Sequence, residues 1–475
     1  MSLFLVKMTK TNNFSYSGCF IDKRLDKRCA QIANNIYNCG NTVIEQFNST
    51  RKGVVGSCRF FNNSRVSLES IIESVTCKIK EQVKGKEVLC IEDTTELNYT
   101  SKQGRIKSGS LGPVTKTGQI GFFMHPNLVI DSRNYMPIGL SDVHIWKRSQ
   151  NTLNKKERRY FDQPLEEKES YRWIESINHS KNILSQAKHT IVIADREADI
   201  YALYTRLKDD KTDLIIRMRR DRSTQEGVTI REKLRVQSVK SVLKMDVKAD
   251  TKDNRSAHIA LLQIKYCTVN ITRPDDPTNK GTIKHFTVNI VQIKECSRTV
   301  KKGERPIEWI LLTTLPVNTT KDARKMLSYY SKRWIIEELF ATLKTRGLSL
   351  ENSQLSHGQS LMKLAVIAMD VAVKVIQLTK GRDDESLSAE EVFNKEEICL
   401  LKELQKHYEG ETEKQKNPFK INTLAWAAWL IGRMGGWKGY KSESPPGNRT
   451  MKRGLEKLNS MQLIYTIMTQ NVCRD

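Results

Sequence analysis

The sequence has no apolar run that could cross a membrane and no recognisable secretion signal. A transmembrane helix needs about 20 consecutive apolar residues, and the most apolar stretch near the C-terminus, LAWAAWLIG at 424–432, is far shorter. The N-terminal MSLFLVKMTKTNNFS has neither a proper apolar core nor a small-residue cleavage site. These absences predict a cytoplasmic protein.

Cysteine pairs and zinc-type clusters are also missing. The ten cysteines are scattered without a CxxC motif, and the eight histidines do not cluster near them. Disulfide frameworks and structural zinc sites depend on such spacing. The pattern therefore favours reduced thiols in a cytosolic setting, and argues against a disulfide framework and against a zinc site.

Acidic residues are clearly outnumbered by basic ones. The chain has 79 Lys and Arg against 54 Asp and Glu, a net charge of +25. Such an excess favours a polyanionic partner, because neutralising phosphates releases counterions and strengthens association. A basic protein tuned for solubility, or one that meets acidic membranes, is the alternative. The spread of basic residues along the whole chain favours nucleic acid.

The chain divides by pattern into three regions, since 475 residues exceed one ordinary core. Residues 1–70 predict a helical unit whose first helix, DKRLDKRCAQIANNIYN, has Asp22 as a possible N-cap. Cations in its first turns oppose the helix dipole, and either a DNA backbone or a solvated face would account for them. Residues 71–370 predict an α/β domain with a β-rich insertion at about 223–308. Residues 371–475 predict a helical C-terminal region.

Two acids stand at the ends of short apolar runs. Asp93 ends EVLCIED, and Asp195 follows the run in HTIVIADREAD. Open α/β sheets place reactive groups at the carboxyl ends of their strands. Each Asp could equally be a turn or helix cap, so these two positions alone leave both interpretations open.

A third acid lies in the segment LSYYSKRWIIEELFATLKTRG, which predicts one long helix beginning near Lys321. At about 100° per residue, Tyr330, Arg333, Glu337 and Lys344 fall within an arc of about 60°. Apolar residues occupy the opposite side. An ordinary solvated face with an i,i+4 pair between Arg333 and Glu337 remains possible, although a salt bridge requires neither the Tyr nor the second cation.

Three blocks, IEDTTELNY, ADREADIY and Y-x2-R-x3-E-x6-K, resemble the catalytic blocks of the insertion-sequence-four family of bacterial DDE transposases. The sequence is most similar to the subgroup of the transposon-five transposase. The likeness recurs in EKESYRW, WILLTTLPV and LAWAAWLIGRMGGW, and the β-rich insertion matches only as a type of segment. It implies an α/β fold with an RNase H-like catalytic core, a mixed sheet with flanking helices, interrupted by the insertion and joined to helical N- and C-terminal regions.

The resemblance implies that Asp93, Asp195 and Glu337 are catalytic and hold two Mg²⁺ ions, for which Mn²⁺ can substitute. Oxygen ligands suit these hard cations better than Zn²⁺. Two such ions about 3.5–4 Å apart can activate an attacking oxygen and stabilise a leaving one in displacement at phosphorus. Each carboxylate is needed because an amide supplies too little negative charge.

The resemblance also implies DNA-binding roles. Tyr330, Arg333 and Lys344 match the residues that grip backbone phosphates, the Arg in bidentate fashion. Trp309 matches a tryptophan that stabilises a flipped base at the DNA end, where an aromatic face compensates for lost stacking. From the residues alone, Trp309 would be a core aromatic. Arg217 aligns with another DNA-contacting arginine, although three further arginines follow it closely.

The N-terminal region has the basic helix expected for the family but few identical residues. Arg28 and Arg59 are the candidate contacts to the DNA end in this region. Tyr201 stands where the close relative has a histidine, so any role of that histidine is in doubt here.

These expectations combine into a cut-and-paste DNA transposase acting on double-stranded DNA in the bacterial nucleoid. Water would nick one strand at the element's end, and the freed 3′-OH would form a hairpin that is opened and then joined to target DNA. The C-terminal helices would form the synaptic homodimer, with Trp426 and Trp429 packing there or in the core. The alternatives are an RNase H-like nuclease without strand transfer, and a non-catalytic DNA-binding relic, which would be expected to have lost an acid.

Overall fold

A computed structural model describes residues 14, 16, 18, 20–149, 162–250, 254–344, 347–440 and 443–471, with side chains to residue 462. The helices of this part of the chain are α1 (Lys23–Cys39), α2 (Ile44–Phe47), α3 (Arg51–Asn62), α4 (Leu68–Thr76), α5 (Arg172–Ile183), α6 (Tyr201–Leu207), α7 (Ile230–Val236), α8 (Thr320–Ser331), α9 (Trp334–Leu343), α10 (Gly358–Lys380), α11 (Lys395–Tyr408), α12 (Leu424–Met434) and α13 (Asn448–Asn471). None of them is long and apolar enough to span a bilayer.

The strands of the described residues form one sheet. They are β1 (Glu87–Glu92), β2 (Thr95–Asn98), β3 (Gly112–Pro113), β4 (Ile120–Asp131), β5 (Pro137–Trp146), β6 (His189–Ala194), β7 (Thr212–Arg217), β8 (Ser241–Val247), β9 (His258–Thr272), β10 (His285–Glu295) and β11 (Glu308–Thr313). The main path runs β2-β4-β1-β6-β7-β11-β10-β9-β8, with β3 and β5 pairing with β4.

The centre of the sheet bears on the RNase H-like core that the family resemblance implies. Strands β5, β4 and β1 pair antiparallel, while β1, β6 and β7 pair parallel. The connection from β1 to β6 includes α5, and the connection from β6 to β7 includes α6. Three antiparallel strands followed by two parallel ones with helical crossovers are the RNase H-like arrangement. The predicted fold class is therefore confirmed.

The predicted β-rich insertion is also present. Strands β8, β9 and β10 pair antiparallel with one another, and β10 pairs with β11. Strand β11 in turn pairs antiparallel with β7. The insertion therefore widens the catalytic sheet rather than forming a separate layer, and β8 is its outer edge.

Alternate residues of the central strands pack into two different cores. Along β6, Ile191 and Ile193 lie in one hydrophobic cluster, and Val192 and Ala194 lie in the other. This alternation is the period of a strand buried on both faces. The first cluster contains residues of α1, α9, α10, α12 and α13, and the second contains residues of α5, α6 and α7.

The N-terminal and C-terminal helices share the first of these cores. Asp22 caps α1 as predicted by accepting a hydrogen bond from the backbone N–H of Arg24. Trp426 and Trp429 are buried in the core, and the Trp426 indole donates to Gln405. The expected region boundaries at 70 and 370 fall inside α4 and α10, two helices that pack against each other and against β5.

Candidate active site

Asp93 and Asp195 lie side by side at the carboxyl edge of the sheet. Ile91 of β1 is in register with Ile193 of β6, and each Asp comes two residues later. Both carboxylates are fixed by their own loops. The Thr94 N–H donates to Asp93 Oδ1 at 2.8 Å, and the Glu197 N–H donates to Asp195 Oδ1 at 2.7 Å. The two neighbouring parallel strands thus place both acids at the same position along the strand direction.

Arg333 connects the third acid to this pair. Its Nη1 donates to Asp93 Oδ2 at 2.6 Å and to Glu337 Oε1 at 3.3 Å. The Asp195 carboxylate is close enough to influence the pKa values of both Asp93 and Arg333. The structure therefore brings Asp93, Asp195 and Glu337 into one cluster, from two strand ends and one helix.

The cluster holds more negative charge than one guanidinium can neutralise. Burial raises the pKa of Asp93 to about 7, and the Asp195 and Glu337 carboxylates act in the same direction, while Arg333 opposes them. A buried carboxyl whose ionisation is disfavoured by two neighbouring carboxyls is typical of sites that take up additional positive charge.

The long helix predicted from the sequence is interrupted, and this prediction is corrected. Helix α8 ends at Ser331 and α9 begins at Trp334. Between them the N–H of Arg333 donates to the Tyr330 carbonyl, a three-residue spacing in place of four. Such a turn rotates the chain by about 120° per residue. Tyr330, Arg333 and Glu337 nevertheless stay close together: Tyr330 and Arg333 influence each other's pKa, and Arg333 contacts Glu337. Tyr330 is buried, whereas the Glu337 side chain is 39% exposed.

An aromatic and cationic group borders the acids. The Trp309 and Tyr330 rings meet edge to face with centroids 5.6 Å apart, and the Arg217 guanidinium lies 5.7 Å from the Trp309 ring centre. Burial raises the pKa of Tyr330, and the nearby Arg333 and Arg217 oppose that shift. Arg217 Nη2 also donates to the Glu308 carbonyl at 3.3 Å. Three predicted DNA-binding residues therefore lie together beside the acidic cluster.

The arginines that follow Arg217 in sequence differ from it in role. Arg222 is buried and pairs with Asp199 through Nη2 and Oδ1 at 2.5 Å. The same Asp199 accepts hydrogen bonds from the backbone N–H groups of Arg219 and Arg220. Asp199 thus anchors this loop, and Arg217 is the arginine in contact with Trp309.

The remaining predicted residues are Lys344, Arg28 and Arg59. Lys344 follows the last residue of α9 and is half-buried; burial lowers its pKa, and Glu351, Glu96 and Glu337 oppose that shift. Arg28 lies on α1, where its Nη1 donates to Gln31 at 2.9 Å. Arg59 is exposed in the last turn of α3. Helices α1 and α3 pack against each other, so these two arginines belong to the N-terminal helices and not to the acidic cluster.

Tyr201, which replaces the relative's histidine, is a buried residue of α6. Its hydroxyl donates to the Ile283 carbonyl at 3.0 Å. The contact joins α6 to the turn between β9 and β10. Tyr201 therefore ties the insertion to the core.

Sequence reasoning missed the residues that support the two loops. Arg172 donates to Thr94 and to Glu197, and the Thr94 hydroxyl is 2.9 Å from His125 Nδ1. His125 and Glu92 are fully buried and lie 3.2 Å apart. The sequence signal for them is that Arg172 and Glu197 lie in EKESYRW and DREAD, two of the strings that carry the family resemblance.

The donor chemistry of the cluster fits a hard divalent cation. Asp93, Asp195 and Glu337 supply carboxylate oxygens, the ligands that Mg²⁺ and Mn²⁺ prefer. Within the described ranges, no three His, Cys, Asp or Glu side chains are arranged as a ready-made metal site. The Arg333 guanidinium stands between Asp93 and Glu337. A cation bound by both would require that contact to loosen.

Comparison with known proteins gives one family. A model described as "Transposase DDE domain" matches residues 130–369, about half of the chain. The match contains Asp195 and Glu337 and begins after Asp93. Among solved structures, the chain is similar to a piggyBac transposase synaptic complex with hairpin DNA, with 9% identity and a TM-score of 0.33. The similarity covers 82% of this chain and 59% of that one, and adds nothing to the fold assigned from strand order.

Proposed function

Because this chain belongs to the transposase family defined by the DDE domain, we propose that it is a cut-and-paste DNA transposase of the insertion-sequence-four type, nearest the transposon-five subgroup. Asp93, Asp195 and Glu337 are its acidic triad. The observation that carries the proposal is the meeting of two strand-end acids with a helix glutamate around one guanidinium.

The three carboxylates would hold two Mg²⁺ or Mn²⁺ ions. Bound there, the ions would activate the attacking oxygen and stabilise the leaving oxygen at phosphorus. The protein contributes the spacing of Asp93 and Asp195, which the paired strands β1 and β6 hold at one level. It would also contribute Arg333, which would leave the acids when they bind the ions and donate to a DNA phosphate.

Trp309, Tyr330 and Arg217 form the surface that receives the DNA end. Arg333 and Lys344 would grip phosphates on either side of the acids, and Tyr330 would donate to a phosphate oxygen. Trp309 is only partly buried and has an aromatic neighbour at its edge, an arrangement that leaves a ring face for an unstacked base. The N-terminal helices, with Arg28 and Arg59, would bind the end sequence.

The proposed reaction consists of displacements at phosphorus. Water attacks at the element's end and releases a 3′-OH. That hydroxyl attacks the opposite strand to give a hairpin and frees the flanking DNA. A second water opens the hairpin, and the restored 3′-OH attacks target DNA. Two copies would bring two ends together, with residues 371–475 forming the contact.

The deciding experiment uses DNA ends that are already cut. Purified protein is incubated with pre-cleaved ends, Mg²⁺ and a target plasmid, and joined products are measured on a gel. A transposase yields joined DNA, whereas a nuclease of the same core degrades or ignores the ends. Absence of joined product under conditions that support cleavage would leave the nuclease interpretation.

A further inference from the structure

Arg172, the first residue of α5, contacts both loops that carry the strand-end acids. Its Nε donates to Thr94 Oγ1 at 3.1 Å, and its Nη2 donates to Glu197 Oε2 at 2.9 Å. Thr94 directly follows Asp93, and Glu197 is two residues after Asp195. One guanidinium therefore bridges two loops that are about a hundred residues apart in sequence.

The guanidinium is held in place from several sides. Nη1 donates to the Glu169 carbonyl at 2.8 Å, and the group lies 5.3 Å from the ring centres of both Trp146 and Trp173. The Arg172 side chain is only 10% exposed. Three of its nitrogens have protein partners and two aromatic rings flank it, so it is poorly placed to grip a DNA phosphate. Its contacts point to a role inside the protein.

Both bridged residues fix the orientation of a triad carboxylate through their backbones. The Thr94 N–H binds Asp93 Oδ1, and the Glu197 N–H binds Asp195 Oδ1. The Thr94 hydroxyl also lies 2.9 Å from Nδ1 of the buried His125. Holding Thr94 and Glu197 at a fixed separation therefore holds the two carboxylates at a fixed separation.

We propose that Arg172 is a positioning residue that sets the spacing of Asp93 and Asp195 for divalent-metal binding. The inference rests on the proposed function for its metal-binding part. The loop-ordering part rests on the contacts alone. Partners that orient metal ligands commonly contribute 10- to 100-fold in metal affinity or activity.

The matched control is Arg148. It too contacts Glu169, with Nη2 2.9 Å from Oε1, and it packs on an aromatic ring, Phe123, at 4.4 Å. Neither of these Arg148 contacts involves the two loops. Arg172→Gln and Arg148→Gln thus remove comparable guanidiniums from neighbouring positions, and only the first removes the bridge.

The first measurement is hydrogen exchange in the metal-free full-length protein. Arg172→Gln should speed amide exchange about tenfold in both loops, at residues 93–94 and 195–199, because a restraint on local opening is lost. Arg148→Gln should leave both loops at the wild-type rate. Unchanged exchange in Arg172→Gln would overturn the proposal. Thr94→Val, which removes one half of the bridge without touching α5, serves if Arg172→Gln does not fold and should speed exchange in the first loop.

The second measurement is calorimetric titration with Mn²⁺. Arg172→Gln should bind Mn²⁺ about tenfold more weakly than wild type and Arg148→Gln equally well. Faster loop exchange with wild-type Mn²⁺ affinity would remove the metal-binding part. If the wild-type protein itself binds no Mn²⁺ while the loops still loosen in Arg172→Gln, the proposed metal site fails and the structural bridge stands.

Discussion

Arg333 is the side chain that links Asp93 and Glu337 in the acidic cluster. The sequence predicts its pairing with Glu337, because residues four apart share a helix face. Its shorter hydrogen bond, to Asp93, joins residues that are 240 positions apart. No rule based on sequence spacing predicts a contact over that separation. The positions of Asp93 and Asp195 at strand ends could thus be predicted from the sequence, whereas the cation between Asp93 and Glu337 could be found only from the tertiary structure.

The raised pKa of Asp93 predicts a pH-dependent effect on stability. The folded carboxyl keeps its proton up to about pH 7, whereas the unfolded chain releases it near the ordinary value of 3.8. Between these values the folded state binds more protons, so the free energy of unfolding falls as pH rises. Asp93→Asn replaces the titrating carboxyl with an amide and therefore removes this fall in the free energy of unfolding. In metal-free protein, the stability of the variant relative to wild type should increase from pH 4 to pH 8 by a few kcal/mol at most.

Thermal unfolding at a series of pH values in EDTA measures this difference. Asp246→Asn, which alters an exposed aspartate on β8, is the control and should show no such trend. A variant-minus-wild-type difference that stays flat between pH 4 and pH 8 would contradict the assigned shift.

At the scale of elements, the strands were predictable and one helix was misjudged. EVLCIED and HTIVIADREAD have short apolar runs of strand length followed by acids, and both are central strands in the structure. The turn at residues 332–333 contains neither Gly nor Pro, the residues that mark helix breaks. At this turn Lys332 Nζ lies 4.1 Å from the Tyr135 ring centre, and Trp334 is 64% exposed.

A second element-scale feature is the close contact of α12 and α13. A Cβ on Gly454 would lie 1.9 Å from the Ile431 carbonyl oxygen, so the helices can approach only over a glycine. Gly454→Ala must push them apart and should lower the free energy of unfolding by about 1–3 kcal/mol. Gly447→Ala is the control, because a Cβ there meets no atom within 4 Å. Denaturant unfolding measures the free energy of unfolding of both variants. Equal values would contradict the close contact of α12 and α13 over Gly454.

At the scale of the whole molecule, helices from the N- and C-terminal regions belong to one hydrophobic core. Ile36 of α1, Val366 of α10 and Leu455 of α13 belong to the same buried cluster. The sequence predicts helical N- and C-terminal regions. It does not show that segments more than 300 residues apart share a core, since that depends on the path of the chain.

Part of the chain's basic charge lines a groove on the insertion. A groove of about 720 Å³ between α7 and the strands β9 and β10 is lined by Arg231, Arg235, Lys265 and Lys294. Glu308 also lines it and directly precedes Trp309. We therefore expect DNA that passes Trp309 toward this groove to meet further cations.

Replacing two exposed cations of the groove, Arg235→Ala with Lys294→Ala, should weaken binding of long duplex DNA. Each lost phosphate contact lowers the slope of log affinity against log salt by about 0.9, so the double variant should lose about 2 in slope. Lys244→Ala with Lys248→Ala, an equal charge change on and beside β8, is the control. Fluorescence anisotropy across a salt series measures both slopes, and equal slopes would exclude the groove from the DNA path.

The central claim is that three distant carboxylates act together in cutting DNA, and the most direct measurement compares cleavage with binding in carboxamide variants. Asp195→Asn and Glu337→Gln should each abolish Mg²⁺-dependent nicking of the element's end, while gel-shift affinity for that end stays near wild type. Glu338→Gln, the neighbouring glutamate paired with Lys380, should cleave normally. Retained nicking by Asp195→Asn or Glu337→Gln would contradict the account.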